Sequence, residues 1–303
     1  MWFVAIVVNI FIKGLVPETF VSIGLLSDSF MPNVNNGTMP FIINLFIIIL
    51  TALLFNRLAV QFQLVKEQTL LPAAFILLFQ TLNPGLINSI APQNFATLIV
   101  GAIFFILYTC YQQKRATEKS FIIGLLFAFT ALFYARILYL LPIFLLGMYQ
   151  MQTGSIRTFA ATLVGLVTPY WIVWGIGWGD ALQFSSTNFA ISLQIPTFTW
   201  QMIPAIFVML LGLIAGTVNL INNYNENIKT RAMNGFVNIL SVYTALLMII
   251  DNSHYTTYLP LLNCVVTLQL SYLFTSQHSR LYNILFFTLI TLLLGCQVLM
   301  FWV

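Results

Sequence analysis

Charge is what this sequence has least of. Eleven Lys and Arg and seven Asp and Glu make up 6% of its 303 residues, against about 25% in a soluble domain. So few ionised groups cannot solvate a folded surface in water, so lipid must be the solvent on most sides. Cysteine is also scarce. Cys110, Cys264 and Cys296 lie inside or at the ends of apolar runs and form no C-x-x-C pair, so neither a disulfide framework nor a cysteine metal site is implied. There is no Gly-rich phosphate loop, no G-x-S-x-G, no H-E-x-x-H, no D-x-D and no paired carboxylate spacing. No cofactor and no metal are therefore expected. Linkers rich in Pro, Gly or Ser are missing too, so residues 1–303 read as one integral membrane domain with no soluble domain. The N-terminus has no basic n-region and no small-residue cleavage site, and its first run reads as a retained span.

What is present is apolar. Hydrophobic residues make up 60% of the chain and the mean hydropathy is +0.96. The apolar runs are continuous, which excludes the barrel signature of roughly 10-residue alternating segments. Backbone groups in lipid must be satisfied internally, so the spans are helices. The expected fold is all-α: a polytopic transmembrane helical bundle of about eleven spans. They fall near 1–24, 39–56, 68–83, 95–111, 120–135, 137–151, 159–176, 197–221, 233–250, 257–274 and 282–302. The first is interrupted by Lys13, Pro17 and Glu18, and reads either as a span or as a short helix followed by a re-entrant piece.

The few charges are ordered. Arg57, Lys66, Lys114, Arg115, Lys119, Arg157, Lys229, Arg231 and Arg280, nine of the eleven cations, fall in one set of alternate loops. The other set, 26–38, 84–94, 177–196 and 251–256, holds no cation but carries Asp28, Asp180 and Asp251. By the positive-inside rule the N-terminus is cytoplasmic and the C-terminus lies at the opposite face. The net charge of +4 is then a topology signal, and no nucleic-acid partner is expected. Segment 177–196 carries Phe184, Phe189, Ile191, Leu193 and Ile195 and is expected to lie on the membrane surface or dip into it.

Only Lys13 and Arg136 break the charge rule. Arg136 stands between two apolar runs at the outer end of the fifth span. A cation held there at a cost marks either function or a structural pair. Its guanidinium could fork onto a phosphate or carboxylate of an anionic or polyprenyl-linked lipid. Alternatively it snorkels, or it pairs with Asp180 or Asp251 and holds helices together. Lys13 is the second candidate for an anionic headgroup. Five residues from Glu18, it lies only loosely on the same helical face, or both line a polar cavity. Asp180 and Asp28 are the candidate catalytic bases at the outer face. Asp251 and His254 lie in an Asp-Asn-Ser-His stretch whose residue types are those of an ordinary turn. Trp171, Trp174, Trp178 and Trp200 gather near the outer segment as an interfacial belt does, with sugar stacking as the alternative. Gly212 and Gly216 have the small-xxx-small spacing of a close helix contact, within or between chains. Pro142 and Pro169 fall inside spans and are expected to kink them. Asn36-Gly37-Thr38 matches a glycosylation acceptor, but it abuts the next span.

Thr117–Tyr134 (TEKSFIIGLLFAFTALFY) leads from a basic turn into a glycine-bearing span. It is followed by the paired span, Arg157 and Gly165-Leu-Val-Thr-Pro169-Tyr170. This fifth of the chain resembles uncharacterised polytopic inner-membrane proteins of Bacteroidota. The layout is also similar to polyprenyl-phosphate-sugar-dependent glycosyltransferases and oligosaccharide polymerases, which place an acidic residue in a large first outer loop. Here that loop is short and holds only Asp28, with Glu18 before it. The resemblance implies a multi-pass protein of the bacterial inner membrane. Three functional classes follow: a non-catalytic membrane subunit of a cell-envelope complex, with other membrane proteins as partners; a transferase or polymerase acting on a lipid-linked envelope precursor at the outer face; and a transporter or flippase. In the second, Arg136 clamps phosphate and Asp180 or Asp28 is the base. In the third, Lys13, Glu18 and Arg136 face a cavity. Few ionisable groups lie in the spans, which favours the first.

Overall fold

Long apolar runs with little room for backbone hydration close their hydrogen bonds locally, and the chain accordingly forms helix after helix. The computed structural model describes residues 38–83, 85–88, 91–113, 116–177, 202–222, 226–276 and 280–302. The expected first span with Lys13 and Glu18, and also Asp28, Asn36 and nearly all of segment 177–196 with Asp180, lie outside them. The helices are α1 Thr38–Gln61, α2 Leu71–Gln80, α3 Gly85–Asn88, α4 Pro92–Thr109, α5 Thr117–Phe133, α6 Leu141–Gln150, α7 Ile156–Gly175, α8 Ile203–Asn222, α9 Ile228–Ile250, α10 Leu259–Ser276 and α11 Arg280–Trp302. Two 3-10 segments, Ala135–Leu140 and Asn252–Thr257, precede α6 and α10. No strand occurs among the described residues.

Among the described residues six helices are long and apolar enough to cross a membrane: α1, α4, α7, α8, α9 and α10. This is the architecture of a multi-pass membrane protein. The run expected at 68–83 forms only the 10-residue α2. At about 1.5 Å per residue it covers half of a ~30 Å hydrocarbon core. After it the chain turns inside the bundle through the short α3. Asn44 of α1 donates to the carbonyls of Leu86 at 2.6 Å and Ile87 at 3.0 Å, and Asn94 donates to Asn44 at 3.0 Å and to Leu86 at 2.7 Å. These amides supply donors that apolar neighbours cannot, so a turn can sit buried. Pro142 stands in the first turn of α6, where a missing N–H costs nothing. It starts a helix rather than kinking one. Pro169 does lie inside α7.

α10 is the axis. Almost all of it is buried, and it packs against α1, α2, α4, α8 and α9. Around Phe104 of α4, Tyr108, Phe236 and Phe144 gather at ring-centroid distances of 4.6, 5.3 and 6.3 Å, and the Tyr108 hydroxyl donates to the Met233 carbonyl at 2.7 Å. α5 and α7 cross with backbones touching. A Cβ on Gly124 would lie 2.0 Å from the Thr162 carbonyl oxygen, and one on Gly165 would lie 2.2 Å from that of Phe121. Only glycine allows that approach. Gly212 and Gly216 face Val266 and Gln269 of α10, so their contact is within this chain. On its other side α7 exposes Leu163, Val164, Val167, Trp171 and Trp174, as a lipid-facing helix does.

Candidate functional site

The site is built where two helices stop. α5 ends as Tyr134 swings to φ −149° and ψ 89°, and the chain continues into the 3-10 segment 135–140. α9 ends at Asp251, whose N–H still bonds the Leu247 carbonyl at 2.8 Å, and the segment 252–257 follows. The two segments face each other. Arg136 donates through Nη1 to Oδ2 of Asp251, and the side chains are only 3% and 2% exposed. The hydroxyls of Tyr134 and Thr257 share a second hydrogen bond. Tyr243 of α9 adds a third link, donating to the Tyr139 carbonyl at 2.7 Å.

A charge pair this deep must recover a desolvation cost of several kcal/mol per ion through Coulomb attraction and hydrogen bonds. Among the described residues, Arg136 Nε and Tyr258 Oη are buried without a hydrogen-bond partner. His254 lies half-buried beside the pair. Burial, and then the Arg136 charge, lower its pKa below the ordinary 6.5, with Asp251 pulling the other way. It is therefore neutral at neutral pH.

At the opposite end of the bundle the charges are open. Lys66 meets Glu226 at 3.0 Å with 47% and 23% of their side chains exposed. The Tyr272 hydroxyl also donates to Glu226, at 3.3 Å. Lys119 donates to the Thr109 carbonyl at 3.1 Å and the Gln113 amide oxygen at 3.0 Å. Arg57, Arg157, Lys229, Arg231 and Arg280 are exposed. Arg136 is the one buried cation among the described residues.

Of the residues singled out from sequence, Arg136, Asp251 and His254 come together. Asp180, Asp28 and Lys13 lie outside the described residues. Tyr134, Thr257 and Tyr258 had not been singled out. A second polar cluster also escaped notice. Asn219 of α8 donates to the Gln269 carbonyl and Gln269 to the Asn238 amide oxygen, both at 2.9 Å. They border a cavity of about 10 Å³, close to the space one water needs. Amides recurring in apolar runs were the available signal. Among the described residues no group of three His, Cys, Asp or Glu side chains could hold a metal. No family model matches the sequence, and neither a curated protein nor a solved structure matches the chain.

Proposed function

We propose that the chain is a non-catalytic membrane subunit of a cell-envelope complex in the bacterial inner membrane. In this reading the chain is one membrane domain with about eleven spans and a cytoplasmic N-terminus. One observation carries it: Arg136, expected either to clamp an anionic ligand or to snorkel or pair with Asp180 or Asp251, is held by an internal carboxylate, Asp251, in a closed pair. A guanidinium so held serves packing, and the activity then lies in association with other membrane proteins. The pairings support the topology. Arg136 meets Asp251 between segments expected on the outer side. Lys66 meets Glu226, and the Gln112 N–H meets the Met151 carbonyl at 3.0 Å, between segments expected inside.

A second reading rests on the unpartnered Arg136 Nε and Tyr258 Oη. Both groups can donate, and both suit an acceptor such as a phosphate oxygen. On this reading the chain is a transferase or polymerase on a lipid-linked precursor, with Arg136 as anion clamp, Lys13 as a further cation and Asp180 or Asp28 as base. Purification in mild detergent with mass spectrometry of co-purifying protein and lipid separates the two. A stoichiometric protein partner without polyprenyl phosphate supports the subunit. A stoichiometric polyprenyl phosphate that is lost on Arg136→Ala overturns it in favour of the transferase.

A further inference from the structure

Polar stripes on three helices meet near the basic end of the bundle. Asn234 and Asn238 stand four residues apart on α9, Gln269 and Tyr272 three apart on α10, and Gly216 and Asn219 three apart on α8. Such spacings put each pair on one helical face. The glycines of α8 leave the room. A Cβ on Gly216 would lie 3.2 Å from Gln269 Nε2 and 3.7 Å from Asn238 Oδ1, and one on Gly212 would lie 3.6 Å from Gln269 Oε1. Asn219, Asn234, Asn238, Gln269 and Tyr272, with Val237 and Leu268, line the cavity of about 10 Å³.

What this cavity lacks is positive charge. Asn219 Nδ2 donates to the Gln269 carbonyl and Gln269 Nε2 to Asn238 Oδ1, both at 2.9 Å, and Asn238 Nδ2 donates to the Gly216 carbonyl at 3.4 Å. These amide nitrogens are thus engaged. Asn219 Oδ1 and Gln269 Oε1 are buried without a hydrogen-bond partner, in residues only 3% and 2% exposed. Amide oxygens left over inside a membrane span are costly and call for a donor or a cation. A water would bring lone pairs of its own to nitrogens already in use. A cation brings none, and carbonyl-type oxygens are what replace its hydration shell in a membrane. The surrounding field favours it. Asn219 lies in the last turn of α8, at the negative end of the helix dipole. Tyr272 links the cavity to the Glu226 carboxylate, at 3.3 Å. With no carboxylate among the lining residues, the larger desolvation cost of a divalent ion is not met.

We infer that the cavity between α8, α9 and α10 binds one small monovalent cation, with Asn219 Oδ1 and Gln269 Oε1 among its ligands. The site is at the opposite end of the bundle from Arg136 and does not depend on the function proposed above.

The test is the unfolding midpoint of the full chain in mild detergent, titrated with sodium or potassium chloride against N-methyl-D-glucamine chloride at constant ionic strength. The organic cation is too large for the cavity. Sodium, potassium or both should raise the midpoint saturably. At about ten times its dissociation constant the ion multiplies the folded-to-unfolded ratio about eleven-fold, a rise of roughly 3 °C. Asn219→Leu should abolish that dependence. Asn219→Asp keeps the shape, adds a charge and serves where the leucine variant does not fold. It should lower the half-saturating concentration about five-fold or more, the weight of one added charge at close range even in water. Equal midpoints in all three salts overturn the inference and leave the cavity to water. So does a sodium or potassium effect that survives Asn219→Leu, or a half-saturating concentration that Asn219→Asp leaves unchanged.

Discussion

The two ends of the bundle solve the same problem in opposite ways. At the basic end, helices close with hydrogen bonds of their own backbone. Gln63, Gln112 and Gln152 follow α1, α4 and α6 at φ of 53°, 58° and 60°. The N–H groups of Leu64 and Thr153 reach back to the Ala59 and Met148 carbonyls at 2.9 and 3.0 Å, the Schellman pattern. Charges there stand in the open and are cheap to keep. At the other end α5 and α9 stop in 3-10 segments that bury an arginine and an aspartate against each other. A surface ion pair contributes about 0–1 kcal/mol. A buried one stands or falls as a unit, because losing one partner strands the other in a low dielectric. Cations were therefore easy to place by rule at one end, and at the other, among the described residues, Arg136 had to be built in.

That contrast can be broken most severely by Asp251→Ala. Arg136 is then left buried with no counter-charge, and a loss of about 3–5 kcal/mol is expected. It should read as a sharply lower unfolding midpoint in detergent and a lower protein level. Tyr134→Phe removes the bond to Thr257 while keeping the ring, and should cost about 1 kcal/mol in the same assay.

Acid should act at this end through His254. His254 has a depressed pKa when folded. Stability is therefore full above the ordinary histidine value and is lost as pH falls below it, where the unfolded chain takes up a proton that the folded chain resists. The charged groups facing it are Arg136, which opposes protonation, and Asp251, which favours it. His254→Gln should flatten that part of the stability profile. Least of all, Lys66→Ala should change stability by less than about 1 kcal/mol, and that small effect should vanish in high salt.

The helices after residue 38 were legible because apolar length is a strong local signal. Arg136 was legible as an anomaly, since nothing nearby in sequence neutralises it. Its partner was not decided by sequence. Asp180 and Asp251 lay on the same expected side, and only the fold sets segment 135–140 against segment 252–257. The short α2 and the buried turn after it escaped notice because their stability comes from Asn44 and Asn94, 50 residues apart in the chain. The kink expected at Pro142 became a helix start for a similar reason: helix boundaries depend on where the preceding segment ends, and the 3-10 turn set that here.

The central claim, that Arg136 and Asp251 act as a structural clasp, is tested most directly by replacing both at once. Arg136→Met with Asp251→Leu exchanges the pair for apolar groups of similar reach, a change that leaves folding neutral or improved where charges serve only packing. The double variant should keep its protein level, its unfolding midpoint and its partners in detergent, and should function in cells lacking the native copy. A double variant that is equally abundant, stable and assembled, yet inactive, would contradict the account and return Arg136 to chemistry.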